Sequence, residues 1–302
     1  MSKPRSLHHP ATDPRRSRAR QMLLALLVGL ISVMSLVISA RVHAAPGDFD
    51  KDSKSDLVLS NSNGLIELWL MNGTNVVSKN TLLNTPGWTV THIADFNGDG
   101  KADLLFRHTD GRIAMWLMNG ATFASGAGLM EAGTGWSVTH VADFNGDGKS
   151  DILFRHTDGR VAVWLMNGTT LISGAGLLEA ASGWTVTHTA DFNGDGKSDI
   201  LFRHTDGRVA MWLMNGITLT SGAGLLEAAQ GWTVTHTADF NGDGKSDILF
   251  RHTDGRVAMW LMNGITLTSG AGLLEAAQGW TVTHTADFNG DGKSDILFRH
   301  TD

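Results

Sequence analysis

Six short stretches of this 302-residue chain gather side-chain oxygens at a fixed spacing. Each reads D-x-[DN]-x-D-x-x-x-D, and they begin at Asp48, Asp95, Asp143, Asp191, Asp239 and Asp287. In Asp143-Phe-Asn145-Gly-Asp147-Gly-Lys149-Ser-Asp151, carboxylate or amide oxygens fall at positions 1, 3, 5 and 9. A backbone carbonyl, that of Lys149, is expected to serve at position 7. Hard oxygen donors so spaced suit a hard cation, as in the first nine positions of an EF-hand loop. Gly148 at position 6 permits the sharp turn that returns the later donors to one point. Three carboxylates and an amide crowded together repel one another unless a cation joins them.

The same roles fall on the other five copies. They are Asp48, Asp50, Asp52, Lys54 and Asp56, then Asp95, Asn97, Asp99, Lys101 and Asp103. Next come Asp191, Asn193, Asp195, Lys197 and Asp199, followed by Asp239, Asn241, Asp243, Lys245 and Asp247. The last set is Asp287, Asn289, Asp291, Lys293 and Asp295. The first copy gains a carboxylate at Asp50 and loses the turn glycine to Ser53. No glutamate stands at position 12, and strand-like sequence flanks every copy. That combination describes a calcium loop joining two strands, not two helices. Magnesium, which demands strict octahedral geometry, fits less well, and extracellular calcium sites bind at about 10⁻⁴ to 10⁻³ M. Acidic β-turns use the same residue types, but turn geometry alone does not require all four donor positions in six copies.

The loops recur at intervals of 47, 48, 48, 48 and 48 residues, and residues 191–238 and 239–286 are identical. Such a period suits a propeller blade or a solenoid unit. Within one unit, Trp184–His188 alternates and is β-branched, so it reads as a strand. Ile200–His204 gives a second strand, Arg208–Met214 a third and Ile217–Leu226 a fourth. Asp206-Gly207 and Asn215-Gly216 are hairpin signals, because both residue types tolerate positive φ. Four short antiparallel strands per unit are what a blade requires. The fold class expected is all-β, a β-propeller of four-stranded blades, with five to six blades present.

The unit D-F-N-G-D-G-K-S-D-I-L-F with its W-L-M-N-G strand resembles the FG-GAP/VCBS repeats of bacterial exported proteins, which are similar to the calcium-bearing blades of integrin α-chains. The resemblance covers about residues 45–302. It implies a β-propeller, usually of seven blades, with calcium in the hairpin between a blade's first two strands. It also implies adhesion, carbohydrate binding or protein binding, often beside a catalytic domain. Residues 45–302 hold about 5.4 units, so the sequence reads as part of a seven-bladed propeller. Alternatively, five blades close by pairing residues 280–286 with the first unit, which is expected to lack a full strand before Asp48.

Residues 1–44 read as a targeting segment. Six basic residues from Lys3 to Arg20 precede an apolar run from Met22 to Ala40, and Val42-His43-Ala44 suits cleavage before Ala45. At 19 residues the run also suffices for an uncleaved anchor helix. Either way the rest of the chain is expected outside the cytoplasm, secreted, periplasmic or at the cell surface. Arg15-Arg16 hints weakly at twin-arginine export. From residue 45 the chain has 17 basic and 29 acidic residues, a net of −12, with 19 of the acids in the loops. That balance excludes a basic nucleic-acid footprint. The absence of cysteine excludes disulfides and thiolate chemistry.

Strand order places the calcium loop and the Asn-Gly turn on one rim. The other rim takes the Asp-Gly-Arg turn and the connection to the next unit, with Arg112, Arg160, Arg208 and Arg256 beside Glu131, Glu179, Glu227 and Glu275. Trp136, Trp184, Trp232 and Trp280 could stack on sugar rings there, or pack between blades. Trp116, Trp164, Trp212 and Trp260 read as core. His92, His140, His188, His236 and His284 form one recurring set and His108, His156, His204, His252 and His300 another, both within strands. Catalysis would need a convergent, non-repeated cluster, and none is legible. The expected function is therefore a non-catalytic module for an extracellular glycan or protein. The alternatives are a propeller hydrolase or lyase with a central-channel site, and a structural calcium scaffold for a catalytic domain missing from this chain.

Overall fold

The computed structural model describes residues 40–301, with side chains from Gly47 onward. The basic stretch and nearly all of the apolar run expected as a signal or anchor lie outside the described residues. The described residues form 22 strands. The first unit holds β1 (Ala40–Gly47), β2 (Asp56–Asn61), β3 (Leu65–Asn72) and β4 (Asn75–Asn84). The second holds β5 (Trp88–Ala94), β6 (Asp103–His108), β7 (Ile113–Asn119) and β8 (Thr122–Met130), and the third β9 (Trp136–Ala142), β10 (Asp151–His156), β11 (Val161–Asn167) and β12 (Thr170–Leu178). The fourth holds β13 (Trp184–Ala190), β14 (Asp199–His204), β15 (Val209–Asn215) and β16 (Thr218–Leu226). The fifth holds β17 (Trp232–Ala238), β18 (Asp247–His252), β19 (Val257–Asn263) and β20 (Thr266–Leu274), and a final pair is β21 (Trp280–Ala286) and β22 (Asp295–His300).

Each unit is one antiparallel sheet in chain order, and the last is two-stranded. The first strands of successive units stand side by side, from β1 to β21. The fourth strands form the outer edge and are largely exposed, as the pattern of β16 shows. Asp199 to Phe202 of β14 are all buried, because both faces of this second strand meet another unit. Five full blades and a half blade thus stack one on the next in chain order, first strand beside first strand.

Two expectations about the first unit and the closure are corrected. The first unit does possess a strand before Asp48: β1 pairs with β2 from Ala40↔Asn61 to Gly47↔Asp56, with a register shift between His43 and Gly47. Backbone pairing needs no favourable side-chain pattern, and the irregularity takes up Pro46, which has no N–H to donate. This strand crosses the boundary expected between Ala44 and Ala45. Residues 280–286 do not pair with the first unit; β21 pairs with β22.

The cores lie between blades, not within them. One cluster joins Phe192, Leu201, Val209 and Met211 of the fourth unit to Val234, Ile248 and Phe250 of the fifth. Equivalent clusters join the first unit to the second, the second to the third and the third to the fourth. A lone blade could not cover its own apolar faces, so stacking is the source of stability.

Candidate functional site

Each acidic loop spans the hairpin between a blade's first two strands and is wound around its first aspartate. Asp143 Oδ1 accepts the N–H groups of Asn145 (3.2 Å), Gly146 (2.6 Å) and Asp147 (3.3 Å), and its Oδ2 accepts that of Gly148 (2.8 Å). Asn145 Oδ1 accepts the Asp147 N–H at 2.8 Å, and Asp147 Oδ1 accepts the Lys149 N–H at 2.9 Å. This tight coil requires left-handed backbone at positions 4 and 6, where Gly146 and Gly148 have φ of 77° and 80°. In the first loop Lys51 and Ser53 adopt the same conformation, both at φ 65°. Losing the turn glycine therefore leaves the loop shape intact, at a local strain of about 1 kcal/mol or more per residue.

Position 9 anchors the loop to its blade. Asp151 is fully buried, its Oδ2 accepting the Phe144 N–H at 3.0 Å and its Oδ1 the Met166 N–H at 2.8 Å. Asp103, Asp199 and Asp247 repeat both bonds. Burial pushes the carboxyls of Asp103, Asp151 and Asp199 up to about 6, outweighing the two N–H groups that favour the charged form. Asp56 and Asp247 move upward for the same reason.

The donor chemistry fits a hard divalent cation. Carboxylate oxygens of Asp48, Asp50 and Asp56 lie within 4.8 Å of one another, the one such acidic group among the described residues. In the other loops position 3 is an asparagine, so an amide oxygen replaces the third carboxylate. At positions 5 and 9 each carboxylate oxygen accepts at most one backbone N–H and retains a lone pair, whereas Asp143 Oδ1 is shared among three N–H groups and its Oδ2 accepts one. Lys54 Nζ pairs with Asp52 at 2.7 Å, while Lys101 and Lys245 reach across to Asn119 and Asn263 of the Asn-Gly turn. Of the lysine at position 7, only the carbonyl is thus a candidate donor.

Sequence reading missed the phenylalanine at position 2, although its recurrence inside six polar loops was the available signal. Phe49, Phe96, Phe144 and Phe192 are fully buried, as wedges against the following blade. Their carbonyls accept the N–H of the next blade's turn glycine, Gly120, Gly168, Gly216 or Gly264, at 2.7–3.0 Å. Phe288 has no following blade among the described residues and is 59% exposed.

On the opposite rim the arginines are engaged by aspartates and indoles of their own unit. Arg160 Nε donates to Asp158 Oδ2 at 2.9 Å, and His156 Nδ1 lies 2.8 Å from Asp158 Oδ1. The Arg160 guanidinium sits over the Trp136 ring at 5.4 Å, and the His156 ring meets the same indole at 5.0 Å. Arg112 with Trp88, Arg208 with Trp184 and Arg256 with Trp232 repeat the arrangement. The backbone N–H of the arginine is the largest influence holding Asp110 and Asp158 down to about 2. Trp136, Trp184 and Trp232 also pack against the inter-blade clusters. Trp280, on the half blade, is 40% exposed. Trp116, Trp164, Trp212 and Trp260 line the same clusters, half-buried.

The inner histidines face the neighbouring blade. The Nε2 atoms of His140 and His188 lie 3.3 Å from the carbonyls of Thr187 and Thr235, one blade on. The Nδ1 atoms of His92, His140, His188 and His236 are buried without a hydrogen-bond partner. Burial lowers the pKa of His92, His140 and His188.

Comparison with known proteins agrees with this architecture. The FG-GAP-like repeat model matches residues 48–106, 95–154, 143–202, 191–250 and 239–298. No curated protein matches the chain. Among solved structures, the C-terminal WD40 domain of Sif2 is similar at 14% identity and a TM-score of 0.51, over 86% of this chain and 80% of that one. Dihydro-heme d1 dehydrogenase NirN in complex with DHE is similar at 9% identity and a TM-score of 0.51, over 83% of this chain and 50% of that one. At these identities the likeness concerns the fold alone, a propeller-type stack of blades.

Proposed function

Because the chain belongs to the FG-GAP-like repeat family, we propose that it is an exported, calcium-stabilised binding module with no catalysis of its own. The observation that carries this reading is the donor set at each blade junction: half-buried to exposed oxygens at positions 1, 3 and 5, wound around the position 1 carboxylate, beside a position 9 carboxylate that is fully buried in five of the six loops. Asp143, Asn145, Asp147, the Lys149 carbonyl and Asp151 would hold the ion, and the equivalent residues would do so in the other loops. A bound calcium would supply positive charge that offsets the mutual repulsion of these groups. The protein's own part is to wind the loop with backbone N–H groups and to seat Phe144 beneath the next blade. Export is supported by the basic, then apolar, then small-x-small order of residues 1–44.

A repeat fold of this type serves as a binding or scaffold module. The ligand proposed first is a glycan, with a protein partner second; near-identical blades would add avidity to a modest site. The rim arginines and indoles already engage one another, so the half-exposed Trp280 is the indole most open to a sugar ring. A non-catalytic role is favoured because the acids and histidines repeat from blade to blade. A hydrolase or lyase would be revealed by activity screening against glycans. A glycan array probed with and without chelator separates a calcium-dependent binder from a pure scaffold.

The calcium reading is tested by unfolding the chain in 10 mM calcium and in EDTA. For dissociation constants of about 10⁻⁴ to 10⁻³ M, each occupied loop contributes about 1.4–2.7 kcal/mol. Identical unfolding midpoints in the two buffers would remove the basis for the proposal.

A further inference from the structure

Between every pair of successive units, the two acidic loops are joined through their backbones. The N–H at position 8 of one loop donates to the carbonyl at position 1 of the loop before it. Ala102 donates to Asp48 and Ser150 to Asp95 at 2.8 Å; Ser198 donates to Asp143, Ser246 to Asp191 and Ser294 to Asp239 at 2.7 Å. Position 8 lies between the position 7 carbonyl and the buried position 9 carboxylate, two donors of its own loop. Position 1 carries the carboxylate around which the preceding loop is wound. Each bond therefore ties the donors of one loop to the leading donor of its neighbour.

A second contact runs beside the first. A Cβ built on Gly146 would stand 3.3 Å from Lys197 Cγ, and one on Gly194 would stand 3.2 Å from Lys245 Cγ. Position 4 of the second to fifth loops is thus pressed against the position 7 side chain of the next. In the first loop, where Lys51 replaces the glycine, its Nζ donates to the Asp99 carbonyl at 2.7 Å. Ala102 at position 8 of the second loop makes the same bond as the serines elsewhere, so the tie needs only the backbone.

We infer that the loops take up cations cooperatively, occupation of one loop raising the affinity of the loops on either side. The inference rests on the proposal that these loops hold calcium. A loop that takes an ion must give up backbone freedom, and a neighbour already fixed by its own ion has removed part of that cost. Such coupling is reciprocal between the two sites. The loops beginning at Asp95, Asp143, Asp191 and Asp239 each have a tied neighbour on both sides. Those beginning at Asp48 and Asp287 have one among the described residues.

Native mass spectrometry of the intact chain across a calcium titration counts the ions on each molecule. The expected result is an excess of empty and fully loaded molecules over a binomial distribution, with a Hill coefficient above 1. Asp195→Ala removes a donor from an inner loop, and the remaining loops are expected to lose affinity by about fivefold or more, the lower end of ordinary coupling. Asp291→Ala, in a loop with one neighbour, is expected to do less. Ser198→Ala keeps the N–H and is expected to titrate like the unaltered chain. A binomial distribution, with unchanged affinity in Asp195→Ala, overturns the cooperativity while leaving calcium binding in place. No bound ion at millimolar calcium overturns the calcium reading itself.

Discussion

Phe192→Ala and Phe288→Ala alter the same residue in the same D-F-N-G-D-G-K-S-D sequence, yet they are expected to differ by several kcal/mol. The backbone N–H contacts are matched: the Phe192 N–H reaches Asp199 Oδ2 at 3.0 Å and the Phe288 N–H reaches Asp295 Oδ2 at 3.1 Å. The side chains are not. Phe192 is wholly buried against Val234, Ile248 and Phe250 of the next blade, whereas Phe288 is 59% exposed. Transfer of a phenylalanine side chain accounts for about 1.5–3 kcal/mol, and the cavity left behind raises the loss to about 3–5 kcal/mol. Surface substitutions stay within about 0.5 kcal/mol. Urea unfolding followed by tryptophan fluorescence measures the difference. Amide exchange across β13 to β20 checks it locally, because stacked repeats need not unfold in one step. Equal losses in the two variants would refute the inter-blade wedge and make the phenylalanine part of the loop alone.

Asp199→Ala leaves the N–H groups of Phe192 and Met214 buried without an acceptor; at about 1–3 kcal/mol each, the expected loss is about 2–6 kcal/mol in EDTA. Asp199→Asn, which keeps one acceptor oxygen, should lose less in the same urea titration. Calcium affinity should fall as pH drops through about 6, because Asp103, Asp151 and Asp199 titrate there in the ion-free fold and must shed their protons to bind. Calorimetry in buffers of different ionisation heat would count those protons, and an affinity constant from pH 5 to 7 would contradict the assignment. His188 works in the other sense: burial lowers its pKa from an ordinary 6.5, so its contribution is present above that value. It is lost as pH falls through the lower folded value. His188→Gln should therefore flatten the acid limb of the stability curve relative to the unaltered chain, whereas superimposable limbs would deny the histidine a role.

Much of this protein was legible in one dimension. The 48-residue period, the Asp-Gly and Asn-Gly turns and the alternating strands are local signals, and they specify four-stranded units without reference to neighbours. The oxygen-bearing side chains of each loop were legible for the same reason, since they fall within nine consecutive residues. What the sequence did not reveal depends on contacts one unit away. It did not show that Phe192 is a wedge while the identical Phe288 is bare, that the rim arginines are already paired with Asp and seated on Trp, or that Ala40–Gly47 completes the first blade. Identical sequences acquire different burial only through what stacks on them, and a backbone hydrogen bond between loops leaves no mark on side-chain identity. The residues alone determined the repeat and the oxygen-bearing side chains of its loops; the stacking of blades decided which residues are buried, paired or open.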